Sequence, residues 1–86
     1  MQPLPDVTAT AYDAVDIYLA DGDTSLDVED VRTLAGMIAL SYLKQAGMTQ
    51  KDLDAEKGQG PLGMWRTTFI TLFTTHFFER RDAPDT

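Results

Sequence analysis

The sequence contains no cysteine and a single histidine, and its 7 Lys and Arg are outnumbered by 14 Asp and Glu. Without cysteine there can be no disulfide framework, thiolate zinc site, iron–sulfur cluster or cysteine nucleophile. One histidine excludes motifs that need two, such as a paired-histidine metal site. The shortage of positive charge, a net −7, argues against the basic footprint of a protein that binds nucleic acid directly. Long apolar runs are missing too. The longest nearly uncharged stretch, Thr33 to Leu43, is too short to span a bilayer and includes Thr33, Ser41 and Tyr42. Met1 to Asp6 lacks the basic and apolar regions of a secretory peptide. These absences lead us to expect a cytoplasmic protein with no membrane association, no metal and no cofactor.

The charge that is present is unevenly placed. Residues 1–30 hold Asp6, Asp13, Asp16, Asp21, Asp23, Asp27, Glu29 and Asp30 without one Lys or Arg, and the first basic residue is Arg32. The whole net charge therefore belongs to the N-terminal third. An acidic face of one sign keeps a small protein soluble, and it also speeds encounter with a basic partner.

With 86 residues the chain is expected to form one domain, with 1–6 and 82–86 as flexible tails. Its periodicity predicts an all-α bundle of three to four helices at about 8–20, 27–46, 49–57 and 61–81. In the first helix Thr8 is the expected cap and Val7 and Tyr12 the expected staple. Val7, Ala11, Tyr12, Val15, Tyr18 and Leu19 form its core face, and Asp13 and Asp16 point elsewhere. The second helix starts most clearly, with Asp27 as cap, Asp30 three residues on and a Leu26–Val31 staple. Its core stripe is Val31, Leu34, Ala35, Ile38 and Tyr42, and Gly47 closes it. Thr49 and Asp52 repeat the same start for a short third helix, and Pro61 suits the first position of a fourth. Thr, Phe and Ile in 67–78 favour strands by propensity. Periodicity overrules them, because Phe69, Phe73 and Phe77 recur every fourth residue while five threonines gather on the opposite face.

Three constellations could carry chemistry. Asp21, Asp23, Leu26, Asp27 and Asp30 fall at positions 3, 5, 8, 9 and 12 of a calcium-binding loop, but Leu19 and Thr24 stand where that loop needs an acid and a glycine. His76 lies beside Trp65, Phe69, Leu72 and Phe73 with no Ser, Cys or second His to work with it. Thr24-Ser25-Leu26-Asp27 resembles the Asp-Ser-Leu motif of acyl and peptidyl carrier proteins, whose modified serine opens a long helix. The resemblance implies that Ser25 would carry a phosphopantetheine arm. Thr24 stands at the motif's aspartate, and the interhelical loop is shorter than that family's.

No nucleophile–base pair, metal cluster or phosphate loop is present, so no enzyme is expected. What remains is surface. Ile17, Met37, Leu40, Met64 and Phe78 are large apolar residues off the core stripes. The second helix is apolar nearly all round, as expected of a central helix or of one that meets a partner. Together with Asp13 and Asp16, those residues are the expected partner-binding set. The function expected is a stoichiometric inhibitor, or antiactivator, of a basic, DNA-binding transcriptional regulator of the bacterial cytoplasm. The Ser25-modified carrier and a self-associating structural subunit, such as a homodimer, are the alternatives.

Overall fold

The structure, a computed structural model, describes residues 4–57 and 59–82. Four helices make up the fold: α1 (Val7–Asp21), α2 (Val28–Gln45), α3 (Gln50–Glu56) and α4 (Pro61–Arg81). The described residues contain no strand. The all-α reading holds, and the caps explain the boundaries.

Asp27 accepts the Asp30 N–H at 2.9 Å, and Thr49 and Asp52 cap each other reciprocally ahead of α3. Pro61 opens α4, where its missing N–H costs nothing. Gly47 takes φ +97°, which lets Met48 N–H reach Leu43 O and its own N–H reach Lys44 O, both at 3.0 Å. Carbonyls at the end of α2 are satisfied in this way.

The start of α1 differs from expectation. Asp6, not Thr8, caps it, accepting the Thr8 N–H at 3.0 Å. A carboxylate caps as well as a hydroxyl, and here it stands one residue ahead of the helix. Residues 4–6 are accordingly no flexible tail. Leu4 packs on the core, and the Pro5 carbonyl accepts the Trp65 indole N–H at 2.9 Å. Residues 1–3 and 83–86 of the expected tails lie outside the described residues.

The organising helix is α4, not α2. α1, α2 and α3 each pack on it, and none of the three packs extensively on another. Pro5 meets Trp65 and Asp16 meets Arg80, so α1 runs parallel to α4. Leu26 meets Arg81 and Tyr42 meets Phe69, so α2 runs antiparallel to it. The core stripe of α4 is Leu62, Trp65, Phe69, Phe73 and Phe77, with its aromatic rings stacked in sequence at 5.4, 5.9 and 6.2 Å between centroids. Small buried residues face this stripe: Ala11 and Ala14 on α1, Ala35 and Ala39 on α2, while Gly36 faces Arg66 and Ile70. Large side chains on one helix and small ones on its neighbours let the helices approach closely. This also explains why α2 reads as apolar all round although it lies on a flank. Its alanines face α4, and Met37 on its outer side is 64% exposed.

Tyr12 leaves the expected core face of α1 and is half exposed, and Ala14 is buried instead. The tyrosine ring lies over His76 with 4.3 Å between centroids. A bulky ring cannot enter a seam set by alanines, so it packs on the rim.

Candidate functional site

The outer face of α1 combines charge with apolar surface. Asp13, Ile17 and Asp21 are spaced four residues apart, which aligns them along one side of a helix. All three are exposed, and Ile17 is 70% exposed between the two carboxylates. α1 has no basic residue of its own. An isoleucine held open to water on a rigid helix is an anchor that loses little rotamer freedom on contact.

Asp16 stands on the edge of this face and has a partner. Its Oδ1 lies 3.6 Å from Arg80 Nη1 and 3.7 Å from His76 Nε2, both on α4. The aspartate, which the sequence left without a structural task, helps hold α1 to α4. His76 is stacked on Tyr12 and lies beside Asp16.

Phe78 is no surface anchor. It is half-buried, edge-on to Phe77 at 5.3 Å, with the Arg81 guanidinium 4.5 Å from its centroid. Arg81 also donates to the carbonyl oxygens of Leu26 and Thr24, at 3.1 and 3.4 Å. A residue expected on the surface is thereby drawn beneath a guanidinium that pins the α1–α2 loop.

That loop uses its carboxylates internally. Asp23 Oδ1 accepts the Ser25 N–H at 2.8 Å and the Ser25 hydroxyl at 2.7 Å, and these hydrogen bonds hold Asp23 below its ordinary pKa. Ser25 stands three residues ahead of Val28, the first residue of α2, and does not open that helix. Among the described residues no three acids or histidines gather to hold a metal ion.

On the other flank, Leu40 is half-buried and lines a hollow of about 210 Å³ with Gln50, Leu53, Asp54, Gly63 and Arg66. Met64, 67% exposed, lines an adjoining shallow depression with Gly63, Thr67 and Thr68. Gly63 belongs to both, so Leu40 and Met64 border one continuous surface. Met37 lies one turn before Leu40 on α2. Asp13, Asp16 and Ile17 lie on α1, away from it. The expected set therefore divides between two surfaces.

Two residues carry roles that composition did not suggest. The Glu56 carboxylate accepts the N–H groups of Leu62 and Gly63, at 3.0 and 3.4 Å, and caps α4 from α3. Gly60, the N-cap residue, offers no side chain, and a Cβ there would collide with Glu56. Arg66 is the other, and its only sequence signal is a lone cation in an otherwise neutral stretch from Pro61 to Phe78.

No described helix is long and apolar enough to cross a membrane. Compared with protein-family models, with characterised proteins and with solved structures, the chain and its fold match none.

Proposed function

We propose that this protein is a non-enzymatic interaction module that binds one basic protein stoichiometrically, and that the partner is a nucleic-acid-binding transcriptional regulator which it inhibits. The observation that carries this reading is the Asp13–Ile17–Asp21 row: an exposed apolar anchor between carboxylates, on a helix without a cation of its own. Charge alone would steer a partner without holding it, and an apolar residue alone would not select one. The row supplies both within one patch. Lysines and arginines that meet phosphate oxygens in a nucleic-acid complex are the groups such carboxylates attract, so occupancy of one excludes the other. Cytoplasmic residence follows from this reading.

The test is co-purification of the tagged protein at low salt, with mass identification of what accompanies it, in parallel with D13K/D21K. A basic nucleic-acid-binding protein recovered in stoichiometric amount by the wild-type chain, and lost from the charge-reversed one, is the expected result. Recovery of an acidic protein alone, or equal recovery by both chains, overturns the reading.

A further inference from the structure

α4 meets α1 and α2 with its aromatic stripe, and its opposite side stays open. Met64, Thr67, Thr68, Thr71 and Thr75 are exposed there, with Thr74 and Phe78 half-buried. The stretch from Met64 to Phe78 contains no carboxylate, and its two basic residues turn away from this side. Arg66 lies against α2 at Gly36, where a Cβ would come within 3.1 Å of Nη2, and His76 stacks on Tyr12 of α1. The open side is therefore neutral in a chain whose net charge is −7. A helix face built for water ordinarily carries Glu, Lys and Gln, which are better helix formers than threonine.

This side is also symmetric about its midpoint. Thr67 and Thr68 stand four and three residues before Thr71, and Thr74 and Thr75 stand three and four after it. Met64 and Phe78 close the pattern seven residues to either side. Offsets of three, four and seven lie on one helix face, so reversing the helix about Thr71 lays threonine on threonine and Met64 on Phe78. The shallow depression at Gly63, Met64, Thr67 and Thr68 falls at one end of this face, at the level that reversal gives to Thr74, Thr75 and Phe78.

We propose that the open side of α4 is a two-fold interface for a second copy of this chain, with the two α4 helices antiparallel and Thr71 on the axis. A two-fold contact uses one patch twice, each residue meeting the counterpart of its own partner, which is the property the symmetric pattern supplies. The depression of one copy receives Phe78 of the other, and Met64, flexible and 67% exposed, reaches over that ring. Threonine is β-branched and loses little rotamer freedom on contact, and its hydroxyl can still donate to the carbonyl one turn back. Because the face is neutral, the two acidic chains meet there without opposing carboxylates. The pattern spans about 21 Å at 1.5 Å per residue, so the contact is small and the dimer depends on concentration. The α1 row is not part of this face, and the inference does not rest on it.

The test is sedimentation equilibrium of the full chain from about 10 µM to about 1 mM, the range suited to an interface below the roughly 1,200 Å² of stable complexes. We expect the mass to rise from 9.5 kDa towards twice that value and no further. T71K sets two like charges against each other on the axis and keeps the chain monomeric, with unchanged helix content by circular dichroism. The chain has no cysteine, so T71C supplies a single thiol that meets its own copy. Its oxidation is expected to give a cross-linked dimer about tenfold faster than that of T33C, on an exposed position of α2. Added salt strengthens the dimer by screening the two acidic chains from each other, the reverse of its effect on a basic partner at α1. D13K/D21K, which disables the α1 row, keeps the dimer, so the two readings fail separately. A chain monomeric across the whole range, a dimer untouched by T71K, or masses beyond a dimer overturn the inference. Equal cross-linking of T71C and T33C, or a dimer that weakens as salt rises, also overturns it.

Discussion

Phe73 has no exposed surface and lies in the middle of the aromatic stack. Its replacement by alanine leaves a cavity that neighbouring alanines cannot fill, at about 3–5 kcal/mol. Domains of this size are stable by only about 5–10 kcal/mol, so F73A is expected to lose most of its unfolding free energy in a urea titration. I17S removes a side chain that touches little, and the same titration is expected to move by no more than about 0.5 kcal/mol. Gly36 falls between these cases. Alanine there gains up to about 1 kcal/mol of helix propensity, and the atom it meets is the far end of a flexible arginine. G36A is therefore expected to unfold at a higher urea concentration than the wild type, although the guanidinium must move to allow it. Loss of stability in G36A would mean that the arginine cannot yield.

α3 has seven residues, too few to persist alone, and survives on its ends. Thr49 and Asp52 close one end, and Glu56 reaches from the other to the first amides of α4. T49A is expected to cost about 1 kcal/mol. The N–H and hydroxyl of Thr49 hold the Asp52 carboxyl below its ordinary value. A lowered folded-state pKa means that its contribution is complete above pH about 4, the unfolded value, and is lost as pH falls through the folded one. Acidification from pH 5 towards 2 is therefore expected to lower the amide protection factors of α3, measured against intrinsic exchange at each pH, ahead of those of the α2–α4 core. D52N removes that part of the pH dependence.

The molecule measures 45 × 23 × 18 Å, and α1 and α2 flank α4 separately. Asp13 and Asp21 take part in no ion pair among the described residues. Each Asp→Lys replacement adds two positive charges, so D13K/D21K moves the net charge from −7 to −3. Reduced self-repulsion is expected to leave its thermal midpoint unchanged or slightly raised, by calorimetry at low salt. Binding of the proposed basic partner is expected to weaken in the wild type as salt rises, measured by titration calorimetry, because exposed charges are screened beyond about 8–10 Å at physiological ionic strength.

Helix number, helix order and most ends were legible in the chain itself, because caps and periodicity are local. Asp27 with Asp30, Thr49 with Asp52, Gly47 and Pro61 act through neighbours within a few residues. So does the four-residue spacing of Phe69, Phe73 and Phe77. The site was legible only as scattered residues: Asp13, Ile17, Met37 and Met64 could be named as lying off the core stripes, but not assigned to surfaces. Which helix stands at the centre depends on which side chains are large and which are small across a seam, a property of pairs of helices. Phe78 shows the same dependence, since Arg81 covers it while itself reaching back to Leu26. Arg66 depends on Gly36, thirty residues earlier, and no local rule joins them. Short-range hydrogen bonding determined the elements, and packing between distant residues decided what each element buries and what it leaves open.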